Sequence, residues 1–126
     1  MILLDTCSLL WLAQDQKKMS RLTLQKISDA SVVSVSAITG FEIGLKYRAG
    51  KLPLPAPPWE WFEGIISHHD ISVLDLGIGI CIKASELPPI HKDPCDRFII
   101  ATALLNSIPI VTADERFADY GVKVLL

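Results

Sequence analysis

Apolar positions along the chain fall into short runs separated by longer mixed segments. Ile2 to Leu4 is wholly apolar and ends at Asp5, which predicts a buried strand and then a turn into a helical pattern over Leu9 to Gln14. Ser20 precedes Arg21 to Ala30, where Leu22, Leu24 and Ile27 recur among polar residues, so a capped amphipathic helix is expected there. Val32 to Val35 is β-branched and reads as a second strand. Ser36 then caps a helix that runs to Ala49 and stops at Gly50. Four prolines between Leu52 and Pro58 exclude regular structure, and Pro58 suits the first position of a helix reaching His68. A third strand is expected over Ile71 to Leu74 and a helix over Ile78 to Glu86. A further helix opens at Asp93-Pro94 and runs to Asn106; Ile108 to Thr112 and Val122 to Leu125 supply the last two strands. Strands alternating with helices predict an α/β fold whose mainly parallel sheet is covered on both faces.

Length and composition narrow this picture. At 126 residues the chain fits one domain, expected to span residues 1–126. The longest uncharged stretch, residues 98–113, is 16 residues long and contains Asn106, Ser107 and Pro109, below the roughly 20 apolar residues of a membrane helix. The apolar N-terminus has no basic leader and is interrupted by Asp5, so a cytoplasmic protein is expected. Cys7, Cys81 and Cys95 are odd in number and scattered, which argues against a disulfide framework or zinc knuckle and predicts three small buried hydrophobes. A net charge of −2 is opposite in sign to that of most proteins that hold phosphate backbones nonspecifically.

The candidate chemistry lies in acids set within uncharged sequence. Asp5 is the only charged residue from Met1 through Gln14, and Glu42 the only one from Ser31 through Leu45. Asp96 stands just before the uncharged run that Asp114 closes. Each has an ordinary explanation: Asp5 as a helix cap, Glu42 as a surface partner of Lys46 one turn on, Asp96 as a favourable charge in a first helical turn, and Asp114 as the cap of a turn through Phe117. Topology favours reading them as a set. Ligands of open α/β sheets sit beyond the carboxyl ends of strands where strand order reverses, and Asp5 and Asp114 follow the first and fourth strands. Four carboxylates around one crevice suit Mg²⁺ or Mn²⁺, and such an ion activates water for attack on a phosphodiester.

LLDTCSLLW, SAITGFEIGLKYRAGKL, HKDPCDRFIIATAL and IVTADERF, in this order and spacing, resemble the four motif blocks of PIN-domain proteins, most closely the VapC-type toxins of bacterial toxin-antitoxin pairs. The resemblance spans nearly the whole chain. It implies a three-layer fold with a five-stranded parallel sheet in order 3-2-1-4-5, and a Mg²⁺- or Mn²⁺-dependent endoribonuclease acting as the toxin. Its acidic quartet falls on Asp5, Glu42, Asp96 and Asp114, as catalytic and metal-binding residues, and Thr112 matches a hydroxyl position that holds Asp114 or a water. It further implies an RNA substrate, a cognate VapB-like antitoxin and a homodimer. Cys95 stands where the family commonly has a larger apolar residue.

Other residues have weaker claims. Arg97 and Lys46 are candidates for contacting phosphate or steadying the acids, with a plain salt bridge as an equal alternative. Asp93 is a helix cap and reserve ligand near His91, and His68, His69 and Asp70 read as a solvated helix end. Lys17, Lys18, Arg21 and Lys26 read as solvated charge, and Trp11, Trp59, Trp61 and Phe62 as core or dimer contacts. The competing function is a catalytically inactive module that keeps the fold and binds nucleic acid or protein. A haloacid-dehalogenase-type phosphatase is excluded because Cys7 stands where its second aspartate would be.

Overall fold

The computed structural model describes residues 1–125; Leu126, the last position of the expected domain, lies outside the described residues. Five strands form one sheet: β1 (Ile2–Leu4), β2 (Val33–Ser36), β3 (Ile71–Leu74), β4 (Ile110–Val111) and β5 (Val124–Leu125). Every pairing is parallel and the order is β3-β2-β1-β4-β5, so β1 lies centrally between β2 and β4. The order expected from the resemblance is the one observed.

Six α-helices cover the sheet: α1 (Thr6–Gln14), α2 (Arg21–Asp29), α3 (Ala37–Arg48), α4 (Pro58–His69), α5 (Ile78–Glu86) and α6 (Pro94–Asn106). Alternation along β1 explains the three layers. Ile2 and Leu4 pack with Leu9, Leu12, Ile27 and Trp61 on one face, whereas Leu3 packs with Ile99, Ile100 and Phe117 on the other. Both faces are dry, which is why the central strand is apolar at every position.

Local signals set the helix starts. Ser20 accepts the Thr23 N–H and Ser36 the Ile38 N–H, while Pro58 and Pro94 occupy first helical positions. Gly50, at φ +72°, takes the left-handed conformation after α3.

The strands near the carboxyl terminus are shorter than expected. The left-handed turn at Ser107 and the proline at 109 delay β4 to Ile110, although the Leu3 N–H still donates to Pro109 O and the Thr112 N–H to Leu125 O. Strand β5 starts at Val124 rather than Val122. Helix α1 starts at Thr6, three residues before the expected pattern, because Asp5 caps it, and a 3-10 turn over Gln16–Lys18 adds an element the apolar pattern does not announce. Cys7 is exposed and Cys81 and Cys95 are half-buried, contrary to three buried cysteines: in the first turn of α1 it is Thr6 and Ser8 that face inward. Trp61 joins the core, whereas Trp59 is 76% exposed. His68 and His69 end α4 before β3, at the opposite end of the sheet from the acids.

Candidate metal centre

The site is built at the carboxyl ends of β1 and β4. Asp5 follows β1 directly and is buried. Its Oδ1 accepts the Ser8 N–H at 2.8 Å, capping α1, and its Oδ2 accepts the Thr112 hydroxyl at 2.6 Å. One side chain therefore both caps α1 and ties the end of β1 to the residue after β4. Burial pushes the Asp5 carboxyl up from its ordinary range, against the opposing hydrogen bonds from Thr112 and Ser8, and the charge of Glu42 adds to the rise.

Thr112 links the two strands. Besides its bond to Asp5, its Oγ1 accepts the Asp114 N–H at 3.0 Å and so fixes the backbone from which Asp114 projects. Asp114 caps the 3-10 turn Glu115–Tyr120 and is gripped by Arg116, whose Nε reaches Oδ1 at 3.1 Å and whose terminal nitrogen reaches Oδ2 at 2.9 Å. These bonds hold the Asp114 carboxyl well below the usual carboxylate range.

Asp96 lies in the first turn of α6, its carboxyl pushed up to about 7 by burial and by Asp93, with the charges of Glu42 and Asp5 adding to the rise. Its Oδ2 is 3.0 Å from His91 Nε2, and the same nitrogen is 2.9 Å from Asp114 Oδ2. Among the described residues, His91, Asp96 and Asp114 form a group whose ligand atoms all lie within 4.8 Å. Asp5 and Glu42 stand outside that group but close enough for their charges to act on Asp96. Of the sequence-predicted quartet, Asp96 and Asp114 are brought together through His91, while Asp5 and Glu42 act on Asp96 through their charges.

His91 is the residue that sequence reasoning passed over. It is 2% exposed, its ring meets Phe117 edge-on at 5.6 Å, its N–H donates to Tyr120 Oη, and its Nδ1 accepts the Asp93 N–H at 3.2 Å. A ring nitrogen that accepts an amide proton carries none itself, so the ring proton is on Nε2, facing Asp96 and Asp114. A metal-ligating histidine shows the reverse arrangement, donating its distal N–H to an acceptor. His91 therefore bridges the two acids as a donor. The available signal was its place between Pro89 and the Asp93-Pro94 helix start, five residues before Asp96.

Glu42 projects from α3 with its side chain 13% exposed, and Oε2 accepts Lys46 Nζ at 3.1 Å. Oε1 is buried with no partner among the described residues. The Thr6 and Thr39 hydroxyls, 3.1 Å apart, join α1 to α3, the helix that carries Glu42. Asp93 is used by α6, accepting the Cys95 N–H, and stays outside the group.

Arg97 corrects an expectation. Its guanidinium donates to the carbonyls of Ala84, Leu87, Pro88 and His91 at 2.6–3.2 Å and pairs with no acid among the described residues. Adjacent helical positions point about 100° apart, which turns Arg97 from Asp96 toward the end of α5. Lys46 forms the salt bridge that was its ordinary alternative.

A crowd of carboxylates with one raised to about 7, another raised by burial, and an unpartnered buried oxygen on a third lacks positive charge. All-oxygen donors of this kind fit a hard divalent cation.

Comparison with known proteins follows the same line. A family model described as the PIN domain matches residues 2–123. Ribonuclease VapC22 of Mycobacterium tuberculosis (strain ATCC 25618 / H37Rv) is 27% identical over 120 residues, spanning 94% of this chain and 91% of that protein. The structure of VapBC2 from Rickettsia felis, bound to a DNA fragment from their promoter, superposes with a TM-score of 0.74 at 15% identity, covering 99% of this chain and 98% of that one. DNA-bound VapBC from Salmonella typhimurium gives a TM-score of 0.73 at 22% identity, covering 98% and 96%.

Proposed function

The chain belongs to the PIN domain family, and on that premise we propose that it is a divalent-cation-dependent endoribonuclease, the toxin of a type II toxin-antitoxin pair. The observation that carries the reading is that His91 joins Asp96 and Asp114 while Thr112 ties Asp5 to the Asp114 backbone, with Glu42 offering a buried, unpartnered oxygen. We take Asp5, Glu42, Asp96 and Asp114 as the residues that hold Mg²⁺ or Mn²⁺. The bound cation would supply activation of water and neutralisation of charge developing on the phosphodiester oxygens.

The protein's own groups do the positioning. Thr112 fixes Asp5 by a hydrogen bond and Asp114 through its backbone, so two acids from strands far apart in sequence keep one spacing. His91 holds Asp96 and Asp114 together through one nitrogen. Lys46 neutralises one oxygen of Glu42 and leaves the other directed inward.

The partners follow from the same reading: RNA as substrate, a VapB-like antitoxin and a second copy of the chain. The names of the relatives support the first two, and the exposed Phe41, Leu45, Trp59, Ile78 and Ile82 support an interface of some kind. No helix among the described residues is long and apolar enough to cross a membrane, and we place the protein in the cytoplasm.

The test is cleavage of a total RNA pool. EDTA should abolish it, Mg²⁺ or Mn²⁺ restore it, and Asp5→Ala or Asp96→Ala remove it. Unchanged cleavage in those variants would sink the reading, while metal-independent RNA binding without product would favour a binding module.

A further inference from the structure

The crevice is acidic, the chain carries a net charge of −2, and the substrate proposed above is a polyanion. Some basic side chain must meet its phosphates, yet most near the site are committed elsewhere. Arg97 is spent on four carbonyls and Lys46 on Glu42. Lys92 lines the hollow between α5 and α6 with Cys81 and Phe98, and Lys18 pairs with Asp15.

Arg116 differs. It stands on the turn after β4 with its side chain 55% exposed, and it reaches back two residues to cover both oxygens of Asp114. The planar fork that matches a carboxylate in this way matches a phosphate equally well. Asp114 Oδ2 also meets His91, so a cation using Asp114 must take an oxygen that Arg116 now holds.

We propose that Arg116 is an exchangeable counterion: it neutralises Asp114 until the divalent cation arrives, then turns its guanidinium to an RNA phosphate oxygen beside the crevice. This rests on the nuclease reading above and names the residue through which that site holds its substrate. Exposure leaves the guanidinium free to swing, and the cation's charge drives it from Asp114 toward the incoming anion. The two roles make the effects of removing it opposite in sign, which a turn-stabilising salt bridge would not do.

The experiment compares the full-length wild-type chain with Arg116→Ala, Arg116→Gln and Arg116→Lys. Mn²⁺ binding is followed by calorimetry without RNA, and cleavage is followed at saturating Mg²⁺. The Ala and Gln variants should bind Mn²⁺ about threefold more tightly, since a competing ion pair is gone. Their KM for RNA should rise about tenfold with a much smaller change in kcat, and Lys should recover part of the KM but not all of it. Having two neutral variants guards against one that folds poorly, which thermal melting would reveal. Mn²⁺ affinity unchanged or weakened in both overturns the counterion exchange, and an unchanged KM overturns the phosphate contact. A wild-type chain that binds Mn²⁺ but cuts no RNA counts instead against the nuclease reading; the Mn²⁺ comparison then still decides the exchange, and RNA retention in a gel-shift assay decides the contact.

Discussion

The Thr112 hydroxyl donates to Asp5 Oδ2 at 2.6 Å, joining side chains 107 positions apart at the ends of neighbouring strands. The same oxygen accepts the Asp114 N–H, so one hydroxyl sets the spacing of two acids. Thr112→Val keeps the shape and removes both bonds. It should lower kcat about ten- to a hundredfold, the range seen when groups orienting metal ligands are lost, while Thr112→Ser should stay near wild type. Equal activity in the Val and Ser variants would show that the hydroxyl has no such role.

His91 makes a related prediction with a spectroscopic handle. With the ring proton on Nε2, nitrogen NMR of the cation-free chain should show an unprotonated Nδ1. His91→Gln, whose amide still donates, should retain Mn²⁺ affinity within about tenfold, whereas His91→Leu removes the donor that links Asp96 to Asp114 and should lose about a hundredfold. A protonated Nδ1 together with an unprotonated Nε2 would instead leave Nε2 free to act as a ligand.

The Asp96 carboxyl, pushed up to about 7 by burial and by Asp93, gives a pH dependence with a definite sign. Cation uptake needs the ionised form, so Mn²⁺ affinity should be flat above pH 7 and fall about tenfold for each unit below it, with release of one proton. The cation-free protein should respond the other way. Between the ordinary carboxylate pKa near 4 and about 7, the native state holds a proton that the unfolded chain does not, so this group makes stability fall as pH rises through that window. Asp114, held low by Arg116, stays ionised throughout it. Calorimetric titrations in buffers of different ionisation heat count the proton, and affinity independent of pH between 6 and 8 would contradict the assignment.

Arg97 belongs to stability. Its guanidinium supplies donors to carbonyls at the end of α5 and in the following loop, groups that the helix itself leaves unpaired. Arg97→Ala should cost about 2 kcal/mol in urea unfolding, and Arg97→Lys nearly as much because a single ammonium cannot span the four acceptors. Wild-type stability with a raised KM for RNA would return Arg97 to the substrate.

What the sequence made legible follows from how local each signal is. Ser20, Ser36, Pro58 and Pro94 act within one helical turn, so those helix starts read directly from their neighbours. Strands β4 and β5 are two residues each and exist through pairing with β1 and with each other, which no run of apolar residues can delimit. The acids were visible as isolated charges in apolar surroundings. His91 was not, because one histidine in a polar loop looks the same whether it ends up buried or solvated. The two arginines differ for a geometric reason: Arg97 directly follows an acid on a helix and is rotated off it, whereas Arg116 follows one across a tight turn and folds back onto it.

The central sheet also places the chemistry in time. Asp5 and Asp114 stand far apart along the chain, and β1 lacks its β4 neighbour until Ile110 and Val111 have been synthesised. A nascent or truncated chain ending before them carries no complete site. On the nuclease reading, the ribosome has made every segment between these acids before the chain can cut anything, and a nonsense mutation anywhere between Asp5 and Asp114 disarms it.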